Sequence, residues 1–268
     1  MRADDDLLDE LLALALRLAS DAADLLVDGL SRARAEVGTK SSITDMVTEI
    51  DRASEALIVG GLRAARPDDA VVGEEGTADD GTTGVRWLVD PVDGTTNYLY
   101  AHAGFAVSIA AEVDGVRSVG VVHDPLHREV FAAAIGRGAT RNDEPIHCSD
   151  KADLPTALVS TGFAYDPARR AAQAAVLQQV LPRIRDIRRM GAASVDLCSV
   201  ACGRVDAYYE KGLGPWDLAA GALVAAEAGA RVANLDGGAS IADAVLAAPP
   251  ALFDELAALL RRSGAREA

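Results

Sequence analysis

The chain has 268 residues, enough for one large domain or two fused half-domains, and 50% of them are hydrophobic, which excludes global disorder. Asp and Glu outnumber Lys and Arg by 41 to 26, a formal charge of −15, which argues against nucleic acid as the main partner and suits a protein that binds hard divalent cations through carboxylates. No apolar run reaches the ~18 residues of a membrane span, and Asp4, Asp5 and Asp6 are the opposite of a basic signal-peptide start, so a soluble cytoplasmic protein with no membrane partner is expected.

From Asp5 to Leu30 the apolar positions Leu8, Leu11, Ala15, Leu18, Ala22 and Leu26 recur at three and four, predicting a long amphipathic helix. A loop with Lys40, Ser41 and Ser42 follows. A second helix is expected from Asp45 to Arg63, with Gly60 and Gly61 weakening its last turn. The pattern then turns β-like at Ala70 to Gly73, Val85 to Asp90, Phe105 to Val113, Val116 to His123 and Glu129 to Ile135. Asp114-Gly115 is a type I′ hairpin signal and implies antiparallel pairing there. Beyond Pro155, short strands at Ala157 to Ser160, Ile184 to Arg188, Val205 to Tyr209, Ala230 to Ala233 and Ala244 to Ala248 alternate with helices. Those helices are expected at Pro167 to Leu181, Ala193 to Cys202, Pro215 to Ala228 and Pro249 to Arg262. The fold class is a layered α+β/α/β sandwich: N-terminal helices on an antiparallel sheet over residues 1–150, then an alternating α/β layer over 151–268, within one compact unit.

The most informative segment is Asp90-Pro-Val-Asp93-Gly-Thr95-Thr96-Asn97, where an apolar strand runs into a loop with two carboxylates, a glycine and two hydroxyls. Pro91 stops the strand ladder, and Asp90 and Asp93 can both turn toward one point beyond it. Gly94 permits close backbone approach, and Thr95 and Thr96 can open a helix whose free N–H groups would take a phosphate. The bland reading is an Asx-rich turn. Further acids stand at strand and helix ends: Glu74 and Glu75 after Gly73, Asp51 one turn into a helix, and Asp217 after Gly214-Pro215-Trp216, where a helix cap is the competing reading. Four carboxylates in one pocket repel by roughly 4 kcal/mol per close pair at an effective dielectric of about 20. Such a cluster is tolerable only with cations, and an all-oxygen donor set points to Mg²⁺, with Mn²⁺ a possible substitute.

The segments Asp45-Met-Val-Thr-Glu-Ile-Asp51, Gly73-Glu74-Glu75, Asp90-Pro-Val-Asp93-Gly-Thr95-Thr96-Asn97 and Trp216-Asp217 together resemble the inositol monophosphatase family, in its bacterial inositol-1-phosphatase branch. The resemblance runs from Lys40 to Gly229. It implies the inositol monophosphatase/fructose-1,6-bisphosphatase-like αβαβα fold and a lithium-sensitive, Mg²⁺-dependent phosphomonoesterase with two or three metals per site. It further implies that Glu74, Asp90 and the Val92 carbonyl hold the first metal, and that Asp90, Asp93 and Asp217 hold the second. Thr95 with Glu74 would orient and help deprotonate the attacking water, Asp51 would support Thr95, and the N–H groups of Gly94 and Thr95 would hold the phosphate. Glu210 and the backbone around Ala193 and Ser194 would contact a polyol, with Asp93 and Asp217 also near the substrate. The implied reaction is hydrolysis of a small phosphomonoester, myo-inositol 1-phosphate first, by a metal-activated water. Histidinol phosphate, fructose 1,6-bisphosphate, 3′-phosphoadenosine 5′-phosphate and a non-catalytic regulatory role are the alternatives. A homodimer is expected by resemblance only.

Other reactive residues offer no rival chemistry. His102, His123, His127 and His147 are scattered, and no GxSxG nucleophile is present. Cys148, Cys198 and Cys202 are odd in number and suggest neither a disulfide framework nor a zinc site. Arg183, Arg185, Arg188 and Arg189 read as solvated or ion-paired charge, with the sharper alternative that one projects toward the active site.

Overall fold

The computed structural model describes residues 4–36 and 43–268; the loop expected at Lys40 to Ser42 lies outside them. Helix α1 (Asp5–Glu36) is longer than its apolar pattern suggested, and α2 (Ile43–Ala65) runs past both of its glycines. The reason is packing. A Cβ at Gly29 would stand 2.6 Å from the Tyr98 hydroxyl, and one at Gly61 would stand 2.3 Å from Leu18 Cδ2. Here glycine lets backbones approach closely, a gain that outweighs its helix cost of roughly 1 kcal/mol.

The first sheet joins β1 (Ala70–Gly73), β2 (Ala78–Asp79), β3 (Val85–Asp93), β4 (Ala106–Val113), β5 (Val116–Asp124), β6 (Glu129–Ala134), β7 (Ala139–Arg141) and β8 (Glu144–Ile146) in the order β2-β1-β3-β4-β5-β6-β7-β8. Only β1 and β3 run parallel. Asp114 and Gly115 adopt φ of 51° and 77°, and Val113 pairs Val116, so the expected hairpin forms. A second left-handed turn at Asn142-Asp143, φ 52° and 66°, joins the unpredicted β7 and β8. Those strands are three residues each, too short for alternation to show, and Pro145 sits where an edge strand tolerates it.

The second sheet joins β9 (Leu158–Thr161), β10 (Asp186–Arg188), β11 (Ala207–Lys211), β12 (Arg231–Ala233) and β13 (Ala244–Ala248) in the order β10-β9-β11-β13-β12. β9 is parallel to both neighbours, and β13 is antiparallel to β11 and β12. The remaining helices are α3 (Thr95–Leu99), α4 (Pro167–Val180), α5 (Ala193–Ala201), α6 (Pro215–Glu227) and α7 (Pro250–Arg262).

Three apolar cores bind five layers. Leu8, Leu11, Leu18 and Leu26 of α1 and Ile58 and Leu62 of α2 cover one face of the first sheet against Trp87, Val89 and Ile109. Helices α5 and α6 fill the space between the sheets, meeting Leu88 and Val122 on one side and Tyr208 and Val245 on the other. Buried on both sides, these two helices are apolar nearly all round. Leu252, Phe253, Leu256 and Leu260 of α7, with Val176 and Val180 of α4, close the far face of the second sheet. Each fully buried large side chain contributes about 1.5–3 kcal/mol by leaving water. The layers stack as αβαβα, as the fold class anticipated.

Candidate active site

The expected end of β3 at Asp90 is wrong in one instructive way. Asp90 pairs Ser108, and pairing resumes at Asp93 opposite Ala106, with a bulge between. Pro91, which has no N–H to donate, falls inside the bulge, so the strand survives it. The bulge bends the chain and brings two buried carboxylates, Asp90 (1% exposed) and Asp93 (7% exposed), to one end of the sheet. Local bonds hold this shape: Val92 N–H donates to Asp90 Oδ1 at 3.0 Å, Ser54 Oγ donates to the Pro91 carbonyl at 3.1 Å, and Thr95 Oγ1 donates to the Val92 carbonyl at 3.0 Å. Gly94 follows at φ 90°, where any Cβ would meet the Gly104 carbonyl at 2.7 Å, and α3 starts next.

The partners of Asp93 lie a hundred residues downstream. Its Oδ1 accepts from Ala193 N–H at 3.2 Å, and its Oδ2 accepts from Ser194 N–H at 2.7 Å and Ser194 Oγ at 2.5 Å. The N-cap position of α5 is Ala192, whose side chain cannot cap, so a carboxylate from the other sheet takes that task. Asp217 occupies the third position of α6, and its Oδ2 accepts from Gly214 N–H at 2.6 Å. The helix-cap reading of Asp217 is therefore true and does not exclude the other, because its carboxyl also meets the cluster. One oxygen from each of Asp90, Asp93 and Asp217 lies within 4.8 Å of the others. Glu74, at the end of β1, joins them through contact with Asp90.

Glu74 is placed by a residue the sequence did not disclose. Glu55 on α2, buried, accepts from Glu75 N–H at 2.9 Å, Thr77 N–H at 3.2 Å and Thr77 Oγ1 at 2.6 Å, and so ties down the turn that carries Glu74. A Cβ at Gly73 would strike that carboxylate.

The electrostatics follow from burial and crowding. Desolvation raises the Asp90 carboxyl well above the usual range, and Asp93, Glu74 and Asp217 add to it. Asp93 is pushed up to about 7 by desolvation and then by Asp217, against the pull of the Ser194 and Ala193 donors. Asp217 rises to about 6, chiefly by desolvation, and Glu74 rises for the same reason. Among the described residues no cationic side chain is hydrogen-bonded to these carboxylates, and a divalent cation is what an all-oxygen cluster of this kind can hold.

An open cleft of about 340 Å³ extends from the cluster. Glu74, Asp90, Val92, Asp93, Gly94, Thr95, Ala193, Glu210 and Asp217 all line it, and Arg169 and Arg189 face it from the second-sheet side. Tyr165 stands at its mouth with its hydroxyl 3.3 Å from Thr96 Oγ1. Of the arginine run, Arg189 alone lines the cleft; Arg185 donates to the Thr156 carbonyl and Arg188 pairs Asp186 at 2.9 Å.

Two assigned roles look different in place. Asp51 does not line the cleft: it is buried behind Glu74 and Glu75, its Oδ1 has no hydrogen-bond partner among the described residues, and desolvation pushes its carboxyl up to about 7. The hydroxyl of Thr95 goes to the Val92 carbonyl, and no hydrogen bond joins it to Asp51. The backbone around Ala193 and Ser194, expected to contact a polyol, gives both N–H groups to Asp93, and Ala193 lines the cleft. Cys148, Cys198 and Cys202 are free thiols.

Fold and site together define a carboxylate-lined phosphatase of the layered α/β type. The sequence profile of the inositol monophosphatase family matches residues 7–265, and the chain belongs to that family. Inositol-1-monophosphatase of Mycobacterium leprae is 47% identical over 237 residues, 84% of this chain and 81% of that one. Nus factor SuhB of Pasteurella multocida is 39% identical over 250 residues, covering 92% and 94%. Among solved structures, Mycobacterium tuberculosis SuhB superposes with a TM-score of 0.84 at 41% identity, over 97% of this chain and 98% of that one. Inositol monophosphatase from Anabaena superposes with a TM-score of 0.83 at 35% identity, over 95% and 96%. The protein is thus a phosphoric monoester hydrolase. None of its described helices is long and apolar enough to cross a membrane.

Proposed function

We propose that this chain hydrolyses a small phosphorylated polyol, myo-inositol 1-phosphate first, with Mg²⁺ as cofactor and Mn²⁺ as a working substitute. The observation that carries this reading is the meeting of Glu74, Asp90, Asp93 and Asp217 at one end of a cleft whose other wall bears Glu210. The donor set fits a hard divalent cation: the carboxylates are crowded, Asp90 and Asp93 are buried, and all four are raised by desolvation. Glu74, Asp90, Asp93, Asp217 and the Val92 carbonyl would hold it. When bound, it supplies positive charge that draws a phosphomonoester into an acidic pocket and polarises the phosphoryl oxygens.

The protein's own groups perform the rest. Gly94 and Thr95 form the backbone corner beside Asp93 where the phosphate would sit. Glu74 and the Thr95 hydroxyl would orient the attacking water, and Glu74 would accept its proton. Glu210 would accept hydrogen bonds from vicinal hydroxyls as an ionised, acceptor-only carboxylate. The relative from Mycobacterium leprae is named inositol-1-monophosphatase, which supports the same substrate. The homodimer implied by family resemblance belongs to this reading, and light scattering tests it.

The experiment is phosphate release from myo-inositol 1-phosphate, histidinol phosphate, fructose 1,6-bisphosphate and 3′-phosphoadenosine 5′-phosphate, with Mg²⁺ and with excess EDTA. The reading expects the highest kcat/KM on the inositol ester and none with EDTA. Full activity in EDTA overturns the metal assignment, and preference for another ester overturns the substrate.

A further inference from the structure

Tyr208 and Glu210 stand two residues apart on β11, so their side chains leave the same face of the strand. That face looks toward α5 and the core between the sheets; Tyr209, between them, faces the outer core. Tyr208 is 0% exposed, with Ser160 of β9 and Ala247 of β13 opposite it in register. Its phenolic O–H donates to Glu210 Oε2 at 2.6 Å. From another side, Gly162 packs so closely that a Cβ there would lie 1.9 Å from Glu210 Oε2 and 2.3 Å from Oε1. The carboxylate is therefore clamped between a buried phenol and a bare backbone, at the edge of the cleft.

We propose that Tyr208 is the positioning residue of the polyol subsite: its hydroxyl occupies one oxygen of Glu210 and so presents the other to the vicinal hydroxyls of a phosphorylated polyol. The proposal rests on the reading that Glu210 meets the polyol. A phenol suits this place for two reasons. Its ring fills core volume that a Ser or Thr would leave empty, and a buried O–H without an acceptor would be costly, so the pair is held in one geometry. Burial pushes the Glu210 carboxyl up, and the Tyr208 bond pulls it back toward the ionised, acceptor-only form. Among the described residues, neither Tyr208 nor Glu210 shares a hydrogen bond with Glu74, Asp90, Asp93 or Asp217, although Glu210 feels the Asp93 charge, so the polyol contact can be altered without breaking the carboxylate cluster.

The test compares wild type, Tyr208→Phe and Gly162→Ala on myo-inositol 1-phosphate and on p-nitrophenyl phosphate, which carries no vicinal hydroxyls, with Mg²⁺ present. Tyr208→Phe keeps the ring and removes only the donor. The expected result is a rise of roughly tenfold in KM for the inositol ester, the size of one lost hydrogen bond to a charged group. The kcat on that ester and kcat/KM on p-nitrophenyl phosphate should stay within about twofold. Gly162→Ala, which displaces the same carboxylate by contact, should give the same split and decides the matter should Tyr208→Phe fail to fold. An unchanged KM in both variants, or an equal fall on both esters, overturns the proposal. A wild-type chain that cleaves p-nitrophenyl phosphate without preferring the inositol ester overturns it while leaving the phosphatase intact. A chain that cleaves neither ester overturns the proposed function as well.

Discussion

Asp69 and Asp90 are both buried carboxylates at the margin of the same sheet, 4% and 1% exposed, yet the fold treats them in opposite ways. Asp69 accepts from Arg66 at 2.8 and 3.1 Å, from Thr83 Oγ1 at 2.6 Å and from the Trp87 indole at 2.9 Å. Burial alone would raise its carboxyl, but those donors outweigh burial and hold it below the usual value. Asp90 has one backbone donor and three neighbouring acids, and its carboxyl is driven up. A protein able to furnish an arginine, a hydroxyl and an indole for one aspartate furnishes, among the described residues, no cationic partner for the other. The difference marks Asp69 as a structural brace and Asp90 as a site completed from solution.

Breaking that comparison at the Asp90 end should have the largest effect. Asp90→Asn keeps the shape and removes the central charge; with several kcal/mol of charge stabilisation at stake, kcat should fall about a thousandfold. Thermal stability without metal should hold or rise, because a repulsion is relieved. Asp69→Asn should show the reverse, with stability lost and kcat nearly intact in the folded fraction, as paired calorimetry and assays would reveal. Next in size is Glu55→Ala, which frees the turn carrying Glu74 and should cost about 10–100-fold in metal affinity or activity, the range for groups that orient a ligand. Rescue of its rate by raised Mg²⁺ would sharpen the assignment, and full activity at low Mg²⁺ would remove Glu55 from it.

The smallest effect is graded by pH. Asp93 at about 7 and Asp217 at about 6 hold protons that a cation must displace, so apparent Mg²⁺ affinity should fall about tenfold per pH unit per proton below these values. Stability without metal runs the opposite way. A carboxyl raised in the folded state favours folding at low pH, and that contribution is lost as pH rises from about 4 through about 7. Metal-free protein should therefore melt lower at pH 8 than at pH 5.5 to the extent that these groups dominate, and saturating Mg²⁺ should flatten the difference.

The two ends of the cleft also differ in how far they can be read from residues alone. Asp90, Asp93, Gly94 and Thr95 sit in one short stretch after an apolar strand, and local chemistry announces them. Glu74 and Asp217 needed the family resemblance to be joined to that stretch, since each has a sound local reading as a turn or cap acid. Glu55, Tyr208 and Gly162 carried no signal, because each acts on a partner through packing or pairing that depends on tertiary placement, as with Gly162 against Glu210. In the fold, helix and strand periodicity marked the helices on an antiparallel sheet and the alternating layer after them, while the five-layer stack was implied by the family resemblance. The bulge at Pro91 and the short β7 and β8 did not, since a bulge is a property of the pair of strands and three residues show no period.

The central claim, that the acids of β1, β3 and α6 gather to hold a divalent cation, is tested most directly by calorimetric titration of Mg²⁺ and Mn²⁺ into metal-free wild type, Asp90→Asn and Asp217→Asn at pH 7 in two buffers of different ionisation enthalpy. The account predicts stoichiometric binding by the wild type with protons released to the buffer, and loss of at least one ion from each variant. Equal affinity, stoichiometry and proton release in all three proteins would contradict it.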